Sequence, residues 1–435
     1  MSLQFITGNS GNGKTKYLFN RIVKEAKANP RDNYLVIVPE QFTMQTQRQL
    51  VDLSENKAIM NIDVLSFKRL AYRVFDELGI TNLTVLEETG KNLVLRKLAA
   101  QEADKLGVIG RNLNRIGYIS EVKSLLSELV QYNISPEELG RYIASGMLSD
   151  TLSDKLKDVL VLYEAFEKFM QDKYITAEEI LNVLSNVAEE SAILRNSVIA
   201  FDEFTGFTPI QNQLIKKLFV ISKKIYVTLT IDCREDIFKS RGMQELFDMP
   251  KRTVKSLTEM AAFYGIEVEE PIILDKNYRL AENEELSFME QQLFRKRRCS
   301  FKKAPKHIHI DCLRDPKQEL TKIARRINEL VRNENLRYRD IAIVTGDVNI
   351  YAGYVREIFD KYNIPYFIDA TQEILFHPFI EFIRSIPDIA AQNFSADAVF
   401  RFLRCGFSEL LDSEIDVLEN LSLIHISEPT RPISI

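Results

Sequence analysis

The chain has 435 residues, 45% of them apolar and 27% charged, with a formal net charge of −5. That length is a soft prior for about three domains, and the composition is that of an ordinary globular protein. The charge balance does not demand a nucleic-acid partner and leaves room for a local basic groove, while no apolar run approaches the ~20 residues of a membrane span.

The first predicted element is a short strand at Leu3–Ile6, followed by Gly8, Asn9, Ser10, Gly11, Asn12, Gly13, Lys14 and Thr15. This run reads G-x-x-x-x-G-K-[ST]. Helical apolar spacing over Lys16–Ala28 follows it at once. Strand, glycine-rich turn and helix N-terminus together make a phosphate-binding loop: glycines let the backbone wrap a phosphate with its N–H groups inward, and the helix end adds a positive dipole. Lys14 would reach the β- and γ-phosphates and the Thr15 hydroxyl would hold Mg²⁺. The plain alternative is a glycine-rich turn without a ligand. A strand starting at residue 3 leaves no room for a signal peptide, so the cytoplasm is the expected compartment.

Tyr34–Val38 is an apolar run ended by Pro39, Gln41–Leu53 has helical spacing, and Asn61–Leu65 is a further strand candidate. Short β-branched runs alternating with helices predict an α/β fold with a parallel sheet. From Leu86 to Glu190 the rhythm becomes helix after helix. Ser135-Pro136-Glu137-Glu138 and Thr176-Ala177-Glu178-Glu179 carry capping signals, and Leu156, Val159, Tyr163, Phe166 and Met170 form a stripe that reads as core. The α/β rhythm returns with a strand at Ser197–Phe201, a helix from Thr208-Pro209-Ile210-Gln211 and a strand over Ile225–Ile231.

A basic stretch, Arg295-Lys296-Arg297-Arg298 with Lys302, Lys303 and Lys306, separates this unit from the next. There, strands are expected at His307–Leu313, Ile341–Val344 and Pro365–Ile368. Helices are expected after Asp315-Pro316 and over Val355–Tyr362, and the chain turns helical again from His377. Residues 421–435 resemble the translation of a sequencing-library adapter, which places the end of the genuine chain near Asn420.

Asp202 and Glu203 follow the Val198–Phe201 strand. Asp202 sits where a second metal partner belongs, reaching Mg²⁺ through water, and Glu203 could orient or deprotonate an attacking water. An acid pair capping a turn is the competing reading. Gln211 could sense a γ-phosphate or complete a capping box. Arg279, in Leu274-Asp275-Lys276-Asn277-Tyr278-Arg279, could neutralise charge at the γ-phosphate or be an exposed arginine at a helix start. The basic stretch is a candidate DNA-backbone contact or a solvated linker. Cys233, Cys299, Cys312 and Cys405 are too scattered for a disulfide, zinc or cluster site, and His307 with His309 makes a poor metal site.

Val38-Pro39-Glu40-Gln41-Phe42-Thr43, Val64–Ala71, Phe201–Pro209, Asn277-Tyr278-Arg279, Tyr338–Ile343 and Ile364–Asp369 with His377-Pro378 are similar, in order and spacing, to the AddB family, the B subunits of bacterial AddAB helicase–nucleases. The resemblance runs over about residues 1–420. It implies a superfamily-one helicase-like α/β fold, two RecA-like P-loop lobes with inserted helical domains, truncated in the second insertion. On that template residues 1–85 and 190–275 are the first lobe and 86–189 its insertion. Residues 276–375 begin the second lobe and 376–420 its insertion. The resemblance also implies ATP and Mg²⁺ as ligands, a heterodimer with an A subunit, single-stranded DNA and duplex ends as partners, and a role in processing double-strand breaks for recombinational repair. The family's nuclease domain and the cysteines of its iron–sulfur cluster match nothing in this chain, so an ATPase is open and a nuclease is not expected. The alternatives are a nucleotide-binding scaffold without turnover and a P-loop small-molecule kinase.

Overall fold

The apolar runs near residues 3, 34, 62, 198 and 225 all become strands of one sheet in the computed structural model. The structure describes residues 1–81, 84–108, 110, 116–146, 148–170, 174–295, 299–369 and 374–425, and the chain divides into two units, 1–308 and 309–435. In the first unit β1 (Ser2–Gly8) leads to α1 (Lys14–Ala28), β2 (Tyr34–Ile37), α2 (Thr43–Leu53), β3 (Ile62–Leu65) and α3 (Phe67–Leu78). A helical excursion follows: β4 (Val85–Leu86), α4 (Glu88–Gln101), α5 (Ile116–Gln131), α6 (Pro136–Ala144), α7 (Asp150–Met170), β5 (Ile175–Thr176) and α8 (Ile180–Val187). The chain then returns through β6 (Val198–Phe201), α9 (Pro209–Ile221), β7 (Lys224–Thr230), α10 (Asp248–Phe263), β8 (Glu267–Val268), β9 (Ile272–Leu274) and α11 (Glu284–Gln292).

The strand order is β3-β2-β6-β7-β1, with β8 and β9 both pairing with β1, and every pairing is parallel. Parallel sheets bury both faces, and the two faces are visible in the alternation of side chains. Leu3, Phe5, Ile199, Phe201, Ile225 and Val227 pack with residues of α3, α8, α9 and α10. Ile6, Val36, Ala200 and Tyr226 pack with Leu18, Phe19 and Ile22 of α1 and Leu50 of α2. The period of two therefore turns Thr228 to the α1 side of β7.

The excursion has a core of its own, from Leu95 and Leu98 through Val122, Leu126 and Leu139 to Leu162 and Phe166. Its entrance and exit are tied by β4 pairing with β5. Inside it Lys91 is buried against Glu178 at 2.7 Å and Glu88 at 2.9 Å. The capping signals read from sequence form: Ser135 Oγ accepts from Glu138 N, and Thr176 and Glu179 bond reciprocally. α8 lies within the stretch read as insertion. Ile180 and Leu184 join the sheet's core with residues of α3 and α9.

The second unit contains α12 (Pro316–Asn333), α13 (Val348–Lys361), α14 (Pro378–Ala391), α15 (Ala396–Leu403) and α16 (Asp412–His425). Asp315 caps α12 by accepting from Gln318 N at 2.8 Å. Leu320, Ala324, Ile327, Ile358, Phe359 and Ile364 form its small core. The strands expected at 307–313, 341–344 and 365–368 are absent from the structure: none of these segments pairs with another. An apolar run needs a neighbouring backbone to become a strand, and here Ile310, Val344 and Phe367 stand 93%, 93% and 89% exposed. No described helix is long and apolar enough to cross a membrane.

Candidate nucleotide-binding site

β1 delivers the glycine-rich turn to the carboxyl edge of the sheet, where ligands of open α/β sheets bind. Gly13 is the N-cap of α1 in a left-handed conformation (φ 78°), which an L side chain adopts only with strain. Lys14 Nζ donates to the carbonyls of Gly8 (3.1 Å) and Asn9 (3.0 Å). Burial pushes the Lys14 pKa down, while Glu203 and Asp202 oppose that shift. A pocket of about 750 Å³ opens over the turn, lined by Ser10, Gly11, Gly13, Lys14 and Thr15, by Asp202, Glu203 and Thr228, and by Tyr278 and Arg279.

Asp202 follows β6 directly and is 1% exposed. β7 lies between β6 and β1, and the Thr228 hydroxyl donates to Asp202 Oδ1. The other carboxylate oxygen, Oδ2, is buried without a hydrogen-bond partner among the described residues. Burial raises the Asp202 pKa, Glu203 adds to the rise, and the Thr228 and Thr15 hydroxyls pull against it. Thr15 Oγ1 itself donates to Glu203 Oε1 at 3.3 Å.

Glu203 is a non-glycine residue at φ 64°, a conformation that has to be imposed by its surroundings. Phe201 on one side and Phe204 and Phe207 on the other gather with Phe67 of α3 into a cluster of rings, centroids 5.3–6.4 Å apart, that fixes the chain on both sides of it.

Arg279 reaches the turn as well, with Nη1 3.4 Å from Ser10 Oγ. Gln211 is the N3 half of a complete capping box with Thr208, at 2.9 and 3.4 Å. The basic stretch, read as a DNA-backbone contact or a solvated linker, is partly engaged within the protein. Arg295 is turned inward onto Asp232 at 2.6 Å with its guanidinium over the Phe247 ring, Lys303 pairs with Glu284 at 2.5 Å, and residues 296–298 lie outside the described residues. Among the described residues no group of three or more His, Cys, Asp or Glu side chains is placed to hold a metal, and the four cysteines are free thiols. A single carboxylate with an unpartnered buried oxygen beside a hydroxyl fits a metal whose remaining ligands are phosphate and water.

Two further residues at this edge of the sheet act through contacts between distant segments. Thr228 is one of several polar residues of β7, and only the β6–β7 register makes it a neighbour of Asp202. Glu40 accepts from the Ser66 hydroxyl and from Arg69 Nε (2.9 Å), joining the ends of β2 and β3; the Ser66 bond above all holds its carboxyl below the usual range. The signal for it was the pair of stretches Val38–Thr43 and Val64–Ala71, which meet here.

Over 425 residues the chain is 38% identical to the B subunit of the ATP-dependent helicase/deoxyribonuclease of Lachnoclostridium phytofermentans, covering 97% of this chain and 37% of that protein. It is 34% identical over 425 residues to the protein of the same description from Clostridium acetobutylicum, and 34% over 426 residues to that of Caldanaerobacter subterraneus, covering 97% of this chain and 36% of each. The chain thus spans a little over a third of the length of these relatives. The family model described as "ADDB, N-terminal" matches residues 5–290, more than half of the chain, and the protein belongs to that family.

Proposed function

We propose that this chain is the nucleotide-binding, helicase-like part of an AddB-type protein, working with an A subunit in the cytoplasm on DNA ends for double-strand-break repair. The observation that supports the reading is the meeting of Thr15 and Asp202, 187 positions apart, in one pocket over the glycine-rich turn. The relatives' description as the B subunit of an ATP-dependent helicase/deoxyribonuclease supports both the nucleotide and the partner. In this reading residues 1–85 and 190–275 are a first RecA-like lobe, 86–189 its insertion, 276–375 the beginning of a second lobe and 376–420 of its insertion. Family membership leaves no support for the small-molecule kinase.

Gly8–Lys14 bind the phosphates of ATP, Lys14 leaving its loop carbonyls to meet the β- and γ-phosphates. Thr15 and Asp202 hold Mg²⁺, which supplies charge neutralisation at the phosphate oxygens. Glu203 orients and deprotonates a water, and Arg279 offsets negative charge at the γ-phosphate.

A second reading, binding without turnover, is favoured by one contact. Glu203 Oε1 already engages the Thr15 hydroxyl, which draws it toward the metal position and away from a water. Titration with Mg-ATP separates the outcomes. Lys14→Ala abolishes binding on either reading, and an unchanged affinity overturns both. Glu203→Gln leaves affinity intact and stops hydrolysis if the residue is a base. It changes hydrolysis not at all if the site only binds.

A further inference from the structure

We infer that Asn277 is a positioning residue for the phosphate loop, set on a strap of residues 274–280 that lies across it. The inference rests on the nucleotide-binding reading above. β9 pairs with the last residues of β1, Ile6 with Ile272 through Gly8 with Leu274, so the two chains leave the sheet edge side by side. The contacts then continue beyond the ladder. Asn12 Nδ2 donates to the Leu274 carbonyl at 2.6 Å, Asn277 Nδ2 donates to the Ser10 carbonyl at 3.0 Å, and Tyr278 N donates to the Gly11 carbonyl at 3.0 Å. The other end of the same amide, Asn277 Oδ1, accepts from Leu280 N at 3.0 Å and closes the turn of the strap.

The Ser10 bond matters through peptide geometry. In a planar trans peptide the carbonyl of one residue and the N–H of the next point opposite ways. Tying the Ser10 carbonyl to the strap therefore fixes the direction of the Gly11 N–H, one of the backbone donors of a phosphate cradle.

The glycine at position 11 is an independent trace of the strap. It falls at a free position of the G-x-x-x-x-G-K-[ST] pattern, yet its φ is +89°. A Cβ there would stand 2.8 Å from Arg279 Cβ and 2.8 Å from Asn277 Oδ1. The residue is small because the strap passes over it.

The test uses the full chain, with Mg-ADP and Mg-ATP titrated into wild type, Asn277→Ala, Asn277→Asp and Arg279→Ala. Asn277→Ala weakens both nucleotides about tenfold, the scale of one lost hydrogen bond. Asn277→Asp does the same, because its carboxylate still accepts from Leu280 N and has no donor for Ser10. Arg279→Ala weakens Mg-ATP alone. Undiminished Mg-ADP affinity in Asn277→Ala overturns the inference. Without nucleotide, deuterium uptake over residues 8–15 rises in Asn277→Ala, and unchanged uptake overturns the inference whatever the nucleotides do. Wild-type binding by Lys14→Ala, or none by wild type, sinks the nucleotide reading instead and leaves the strap to be decided by the exchange measurement.

Discussion

The sheet of the first unit and the three apolar segments of the second carry the same signal in sequence and end in opposite states. Val198–Phe201 and Ile341–Val344 are both four-residue apolar runs before a polar turn. In the first unit β6 runs between β2 and β7, has helices over both faces, and is buried at all four positions. In the second, residues 341–344 have no ladder, and Ile343 and Val344 are exposed. An apolar run states what a segment is able to bury. The neighbours that bury it come from elsewhere in the chain, or from outside it.

The largest expected effect tests the well-partnered side of that comparison. Ile199 is fully buried between strands and helices. Ile199→Ala removes about 3 kcal/mol of stability through lost burial and an unfilled cavity, read as a lower denaturant midpoint at unchanged slope. A loss under ~1 kcal/mol would mean that the sheet relaxes around the gap, and the contrast with the second unit would shrink.

A smaller effect concerns the one place where the first unit's core is not self-sufficient. Asp202 is as buried as its neighbours, yet Oδ2 has no partner and burial lifts its pKa. The raised folded pKa means that the native state holds this proton more tightly than the unfolded chain does. Stability is therefore lost as pH rises from the unfolded carboxyl value, near 4, through the folded one. Asp202→Asn removes that loss. The variant is more stable than the nucleotide-free wild type near pH 7, and the difference fades toward pH 4, where both side chains are neutral in the folded state. The same variant loses Mg²⁺-dependent nucleotide affinity. A destabilised Asp202→Asn at pH 7 would show that the carboxylate is at ease where it is, and that the site stores nothing.

What sequence made legible and what it hid divide along similar lines. The glycine turn was readable because its residues encode backbone shape locally, and Asp202 because it directly follows an apolar run and stands in the same chain as that turn. Thr228 was hidden, since its role depends on the register of β6 against β7. Asn277 was hidden behind Arg279, its role appearing only once β9 pairs with β1. Arg295 looked like part of a solvated basic run and instead reaches Asp232, 63 positions earlier. The capping signal at Thr176-Ala177-Glu178-Glu179 announced a helix and could not say which of two cores it would join. Local chemistry is written locally; partners chosen across the chain are not.

The smallest effect is the most direct probe of the unpartnered side. Val344 is 93% exposed, so Val344→Ser deletes apolar surface that the chain does not bury. Stability should move by no more than ~0.5 kcal/mol, as for surface substitutions without a structural partner. Self-association at high concentration should fall, because Val344 is one of the bare apolar side chains of this unit. Leu320→Ala, one layer away in the small core under α12 and α13, is the internal control and costs about 2 kcal/mol. If Val344→Ser approached the control, the segment would be packed in solution, and the difference between the two units would be one of assembly. If it stays neutral while Leu320→Ala does not, the helices of the second unit hold together without a sheet beneath them. The apolar segments are then surfaces awaiting a partner.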